Sequence, residues 1–546
     1  MTVTPLQTMD MLPAPKKEGK SKDPYDSRFF RAFRKYLEMS IRARWATFGT
    51  MVALLALAVV SFGKVEKLFF PDSTMTKFMV DYWAPEGTRI EETKAAIARA
   101  EKKIMADPRV TGVASYIGAG PPRFYLPVEP EKPYSSYAQM VVNVKDYREI
   151  TGMIKELGGW FAEEFPEALV PIRPFGVGPA FTWKFDARII GPGVSNPKTL
   201  REAAGNVGEI LDASPLSAYS RTDWRQQVLK VVPVYSQERG RWAGISREDI
   251  ARTTKRAYDG RRIGLYREGD DLIPIILRHV EEERQDPAGI DLLEVQPALS
   301  SKAIPLAQVT DDVALEWENP LIWRRDRRRT IKLQGNPVAG ETLPTLWADV
   351  GKKIEAVKLP AGYKLEWGGE FESSRDSQQS LLPGVVPATV IILLIIVGLF
   401  NAFRPLFVIL LTIPFAFIGI TFGLLGTGSA FGFVALLGAM SLAGMMIKNA
   451  IVLLDQINAN LDAGMDRYES TIQAALSRLS PVSLAAATTV LGVVPLMQDP
   501  FWIGLAVTIM AGLSFGTVLT MILVPVLYAT LHRIHAPVKA PAKAKR

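Results

Sequence analysis

The chain has 546 residues, 48% of them hydrophobic and 22% charged, with a formal net charge of +8. That mixture points to separate membrane and water-soluble parts, and the basic surplus lies beside apolar stretches, where membrane orientation explains it more simply than nucleic acid does. The absence of cysteine excludes disulfides, thiol catalysis and cysteine metal sites, and with only His279, His532 and His535 there is little basis for an imidazole metal or proton site.

Residues 1–26 are rich in Pro, Lys and Asp, the composition of a disordered segment. "SRFFRAFRKYLEMSIRARW", from Ser27 to Trp45, follows with apolar residues at helical spacing among arginines. It predicts an amphipathic helix lying on a membrane surface, so residues 1–44 form a cytoplasmic tail and that helix. The apolar core after it, residues 45–63, predicts an uncleaved first span. A signal peptide is the rival reading, but the core starts late and no small-residue cleavage site follows.

Five further apolar stretches predict spans at about 382–400, 405–425, 431–454, 481–497 and 501–531. Each is near or above the length needed to cross ~30 Å of hydrocarbon. Pro387, Pro414, Pro495 and Pro525 are tolerable where neighbouring helices re-satisfy the backbone. Arg or Lys marks the amino end, "NAFRP", the loop 455–480 and the tail 532–546. "GTGSAFG" and "MQDP" carry neither. Putting the basic loops inside gives one weave with both ends cytoplasmic and residues 64–380 outside.

The outer segment contains a weak fourfold repeat, beginning at "TKFMVDYW", "YAQMVVNV", "FTWKFDARII" and "RTIKLQGN". In each copy a period-2 stretch gives way to a period-3.6 stretch and then returns to strand pattern, which predicts βαβ units. An insertion at 225–329 separates the third and fourth copies. The expected fold is therefore an α+β membrane protein with six transmembrane helices, one plus five, and a large extracytoplasmic region of βαβ units. There is no P-loop, zinc spacing or nucleophile elbow, so nothing suggests ATP-driven work, an enzyme or a cofactor.

Three stretches carry a resemblance: "WAPEGTRIEET" (83–93), "IKNAIVLLD" (447–455) and "SRLSPVSLAAATTVLGVVPL" (477–496). With the element order, the chain resembles the carboxyl-terminal half of a resistance–nodulation–cell division (RND) multidrug efflux permease. The resemblance implies proton-driven export of drugs or amphiphilic compounds across a bacterial inner membrane. It implies a trimer of pseudo-two-fold protomers joined to a periplasmic adaptor and an outer-membrane channel. It further implies a first porter subdomain at 64–175, a second at 176–224 and 330–372, and a docking subdomain at 225–329.

The family's paired membrane aspartates belong to the other, amino-terminal half. Here the pseudo-equivalent position carries Lys448 and Asn449. In the family such a lysine faces those aspartates, so the resemblance makes an amino-terminal RND half a required partner. The bare alternative is a Lys448 that snorkels, although it lies far from both helix ends. Asn449 suits either packing or function, and Asp455 reads as interfacial. Arg478 matches a family arginine near the proton exit and equally suits an orientation anchor. The family's polar threonine maps onto Ala485, which leaves Thr488 and Thr489 without a role.

For substrate, the resemblance singles out the loop "SYIGAGPPRFYLP". Tyr116, Phe124 and Tyr125 would stack on flat apolar compounds, Phe175 would line the other wall, and Arg123 and Arg173 would attract anions. A surface loop packed on its own domain is the equal alternative. The basic run "WRRDRRRT" reads as a solvated face or a subunit contact. Two other functions stay open: a single-repeat homodimer in lipid or protein handling, and a non-transporting truncated pump fragment. A self-contained proton-driven repeat would carry a deep carboxylate, and this chain has none.

Overall fold

The computed structural model describes residue 25 and residues 27–535, apart from residues 180, 286 and 298–301. Nearly all of the segment read as disordered, and the tail beyond residue 535, lie outside the described residues.

The first helix, Arg28–Arg42, starts at Ser27, whose Oγ accepts from the Phe30 amide. It does not lie only on a membrane surface, as its arginine-rich amphipathicity predicts. Leu37 and Ile41 are buried in the core formed by the ends of the later helices, and Arg34 pairs with Glu469 at 2.8 Å. The opposite face leaves Phe29, Tyr36 and Met39 exposed, as an interfacial helix requires.

Among the described residues, six helical segments are long and apolar enough to cross a membrane: Arg44–Phe62, Gly369–Phe400, Phe403–Thr427, Phe433–Asp462, Arg467–Gln498 and Pro500–Leu531. They are called here the first to sixth spans. The fourth and fifth are longer than the apolar stretches predict. The expected loop 455–480 shrinks to residues 463–466, because Tyr468, Ile472 and Leu476 recur at helical spacing and bury against the core that holds Leu37. Asp466 starts the fifth helix by accepting from the Tyr468 amide at 3.0 Å. Pro481 therefore lies inside that helix rather than at its start. The sixth span is the most buried. Its Gly512 and Gly516 lie so close to Leu442 and Met446 of the fourth that an added methyl would clash with them. Close approach at small residues is how apolar helices associate without a hydrophobic driving force.

The region between the first and second spans holds two sheets of one design. In the first, β1 (Lys77–Trp83), β2 (Val110–Ile117), β3 (Tyr137–Val144) and β4 (Ile172–Pro174) order as β2-β3-β1-β4, all antiparallel. In the second, β5 (Phe185–Ile190), β6 (Ser217–Thr222), β7 (Arg328–Pro337) and β8 (Lys364–Trp367) order as β6-β7-β5-β8. Helices Ile90–Met105 and Ile150–Glu164 bury Ile97, Ile104, Met153 and Phe161 against Phe78, Val80 and Met140 of the first sheet. Helices Pro197–Asp212 and Leu343–Glu355 do the same for the second. Alternation along each strand sends the remaining side chains to the opposite face.

Residues 225–329 leave the second sheet and return to it. They include the strand pair Val228–Tyr235 with Thr310–Glu318, an exposed hairpin at 261–277, and a small core around Ile250, Val295 and Leu306. The outer region is tied to the spans by the Phe431 amide on the Glu66 carbonyl (2.8 Å) and by Phe70 stacked on Phe501.

Candidate functional site

Two features bring unusual chemistry together, one on the spans and one between the sheets. Lys448 sits at the middle of the fourth span and is exposed. No ion pair or hydrogen bond joins it to another described residue. Helical spacing puts Ser441, Gly444 and Asp455 on the same face, and all three are exposed. Asp455 is about 10 Å further along the axis, too far to neutralise the ammonium. On the fifth span Pro481, Ala485, Thr488 and Gly492 form an exposed stripe of mostly small residues. The hydroxyls of Thr488 and Thr489 both donate to the Ala485 carbonyl at 2.9 Å.

Asn449 turns inward and is buried. Arg478 is half-buried, and its Nε is buried with no acceptor. Both cations therefore lack a carboxylate among the described residues. A charged, small-residue face of this kind suits a second helical surface and does not suit lipid.

The second feature is a cleft of about 830 Å³ between the two sheets. The segment 118–136, joining β2 to β3, supplies Arg123, Glu131, Lys132 and Tyr134 to its wall, and Lys132 Nζ lies over the Trp323 ring at 4.2 Å. Trp83 at the end of β1, Trp183 before β5 and Arg221 on β6 meet at its base. The Arg221 guanidinium lies between two indoles, 4.3 Å from the Trp83 ring centre and 3.9 Å from that of Trp183. Its Nε donates to Gln334 Oε1 at 3.3 Å, and no carboxylate reaches ion-pair distance. Burial lowers its pKa to about 10.

Nearby, Arg225 donates to the Ala84 carbonyl and Ser136 Oγ and pairs with Glu86. Apart from exposed Glu129, the cleft carboxylates are either tied or pushed towards neutrality. Arg188 hydrogen-bonds Glu372 at 2.7 Å and holds it below the usual carboxylate range. Burial raises Glu131, and raises Asp223 to about 7. Among the described residues, no group of three or more His, Cys, Asp or Glu could hold a metal ion.

Two expected substrate residues have other surroundings. Arg173 is not a free cation, because its Nε donates to buried Asp81 Oδ2 at 2.9 Å. Phe175 does not line an open wall. It is buried with Met79 and Val141, and Tyr125 and Phe124 meet it edge-on at 5.5 and 6.0 Å. Tyr125 OH also donates to the Gly176 carbonyl, and Tyr116 packs on the same cluster. Of the six, Arg123 faces the cleft. The sequence singles out none of Arg221, Trp83 and Trp183 as a site residue, although Trp83 opens the stretch "WAPEGTRIEET" and Trp183 lies in "FTWKFDARII".

A family model described as the AcrB/AcrD/AcrF family matches residues 1–532. The chain is similar to the nickel and cobalt resistance protein CnrA of Cupriavidus metallidurans, at 26% identity over 91% of this chain and 47% of the relative. It is similar to the multidrug resistance protein MdtC of Serratia proteamaculans, at 23% identity over 90% of this chain and 47% of the relative. The fold matches a crystal structure of a heavy metal efflux pump with a TM-score of 0.76 at 19% identity, over 92% of this chain and 51% of that one. The chain thus spans about half the length of the proteins it matches.

Proposed function

The chain belongs to the AcrB/AcrD/AcrF family, and from that premise we propose that it is the carboxyl-terminal half of a proton-driven RND exporter. In this reading it works against an amino-terminal half that carries the proton-binding aspartates. The single observation that supports it is Lys448, an ammonium at the middle of a span, exposed and without a counter-charge among the described residues. The stripes at Ser441–Gly444 and Ala485–Thr488 beside it give a partner helix room for close approach.

The proposed cycle follows from electrostatics. When the partner carboxylates are ionised, Lys448 pairs with them. When they take up protons the attraction is lost and the fourth span is free to shift. Asn449, packed beside it, sets the rotation of the helix, and Arg478 keeps the proton exit positive. The shift reaches the outer region through the Glu66–Phe431 and Phe70–Phe501 contacts, which join the two parts. The cleft between the sheets would then open and close on substrate. Segment 118–136, with Arg123, Phe124 and Tyr125, would act as its flap, with Tyr116, Arg173 and Phe175 forming the packed hinge under it.

In this reading the two sheets are porter subdomains (64–175, and 176–224 with 330–372). The insertion 225–329 docks towards an outer-membrane channel, and the assembly is a trimer with a periplasmic adaptor in the inner membrane. A homodimer is less well supported, because a second copy would bring another Lys448 and no deep carboxylate. The test is co-expression with a matching amino-terminal half in a pump-deficient strain. Export that needs both chains and collapses with an uncoupler is expected; full proton-dependent export by this chain alone in liposomes would overturn the proposal.

A further inference from the structure

We infer that the cleft between the two sheets takes an aromatic organic anion, such as a carboxylate or sulfonate on fused rings, held by Arg221 between Trp83 and Trp183. The inference rests on reading this cleft as the substrate site of an exporter, and it names the substrate class.

The geometry at Arg221 carries it. The guanidinium carbon lies within 4.3 Å of the Trp83 ring centre and 3.9 Å of that of Trp183, so two indoles crowd it and narrow the ways a ligand can approach. Nε is engaged with Gln334, and the two Nη groups have no carboxylate at ion-pair distance. A guanidinium edge matches a planar or tetrahedral oxyanion bidentately. The two indoles and the Gln334 bond restrain the group, so little freedom is lost on binding. The two indole N–H groups add unmet donors. Trp83 and Trp183 are 4% and 6% exposed, and neither Nε1 has an acceptor. Arg188 adds Nη1, buried without a hydrogen-bond acceptor, while its Nε lies 3.7 Å from Asp186 Oδ2. Against these unmet donors the same lining holds one orphaned buried acceptor, Asp186 Oδ1, so donors outnumber acceptors and an acceptor-rich ligand that reaches them improves the balance.

The same inventory disfavours a divalent cation. Glu372 is tied to Arg188, and Asp186 lies 3.5 Å from Lys332 Nζ. Asp223 and Glu131 are pushed towards the neutral form, which leaves exposed Glu129 as the one remaining lining carboxylate rather than a converging pair. Hard and borderline cations need converging oxygen or imidazole ligands, and the lining side chains include no histidine or methionine. At about 830 Å³ the cleft is the size of sites for drug-like molecules rather than ions. Lys132 over Trp323 and Arg123 at the rim extend the positive, aromatic lining.

The test is calorimetric titration of the full chain in lipid nanodiscs with 2-naphthalenesulfonate, neutral 2-naphthol and cobalt chloride. Naphthalenesulfonate should bind, with affinity falling as salt rises. Arg221→Gln should weaken it at least tenfold and leave 2-naphthol unchanged. Arg221→Lys, the second variant should the first fail to fold, keeps the charge but loses the planar stack and should weaken it several-fold. Unchanged naphthalenesulfonate affinity in either folded variant, or its displacement by cobalt, overturns the inference. Because this readout is binding by one chain, failure of the paired chains to export would remove the exporter reading and leave the binding result intact.

Discussion

Arg173 donates from Nε to Asp81 Oδ2 at 2.9 Å across neighbouring strands, with side-chain exposures of 11% and 2%. Tyr137 OH and Gln139 Nε2 donate to the other oxygen at 2.6 and 2.8 Å, so the carboxylate is satisfied on both sides. This network lies where the first sheet turns its polar face towards the second, and it holds β1, β3 and β4 in register behind the cleft.

A buried pair of this kind is felt when one partner is removed. Arg173→Ala should lower stability by about 3–5 kcal/mol, because Asp81 is left charged and unpaired. Arg123→Ala, at an exposed position, should change it by less than about 0.5 kcal/mol. Denaturant unfolding of the purified chain in detergent compares them. Equal losses would show that Arg173 is not the buried partner described here.

Asp223 gives a pH-dependent term. Its Oδ1 accepts from the Lys332 amide at 2.8 Å, but burial dominates and raises its pKa to about 7 from an ordinary 3.8. The folded chain therefore holds this proton where the unfolded chain has lost it. The contribution to stability falls as pH rises from about 4 to about 7 and is flat above. Asp223→Asn should gain on the native chain across that window, read as a melting-temperature difference that grows and then levels off. Lys332, Asp186 and Arg221 face the same group, and burial raises Asp186 as well. A difference independent of pH would refute the assignment.

Topology is testable because the chain has no cysteine. Val194, in an outer turn, is 95% exposed, and Ala463 is exposed between the fourth and fifth spans. Val194→Cys should react with an impermeant thiol reagent in intact cells, and Ala463→Cys should react only after lysis. The reverse pattern would invert the orientation.

The spans, the two-sheet region and the insertion were legible because hydrophobic periodicity is local. "TKFMVDYW" alternates and "IEETKAAIARAEKKI" repeats every three to four residues, and each became the element its period requires. Lys448 stands out in the sequence for a similar reason: a charge in an apolar run is conspicuous, and in the structure it is exposed on the fourth span. The ends of the fourth and fifth spans were not legible. A helix that leaves the apolar layer keeps its hydrogen bonds, and Tyr468, Ile472 and Leu476 look like loop residues until the first helix is placed on them. The cleft was least legible. Arg221 meets Trp83 only because two distant sheets abut. Arg173 lost its proposed role because Asp81, a partner on a neighbouring strand, does not announce itself in sequence.

The most direct measurement of the central claim is export by the reconstituted pair of halves carrying Lys448→Ala, with membrane levels of both chains matched by blotting. An ammonium deep in a span persists only with a counter-charge or a water-filled cavity. Removing it should leave the partner carboxylates without their cation, raise their pKa and keep them protonated. The account predicts that export collapses while the assembled pair remains in the membrane. Lys448→Arg should rescue it poorly, since the larger planar group holds its proton and geometry differently. Near-normal export by Lys448→Ala at equal expression would contradict the account and reduce Lys448 to a tolerated structural residue.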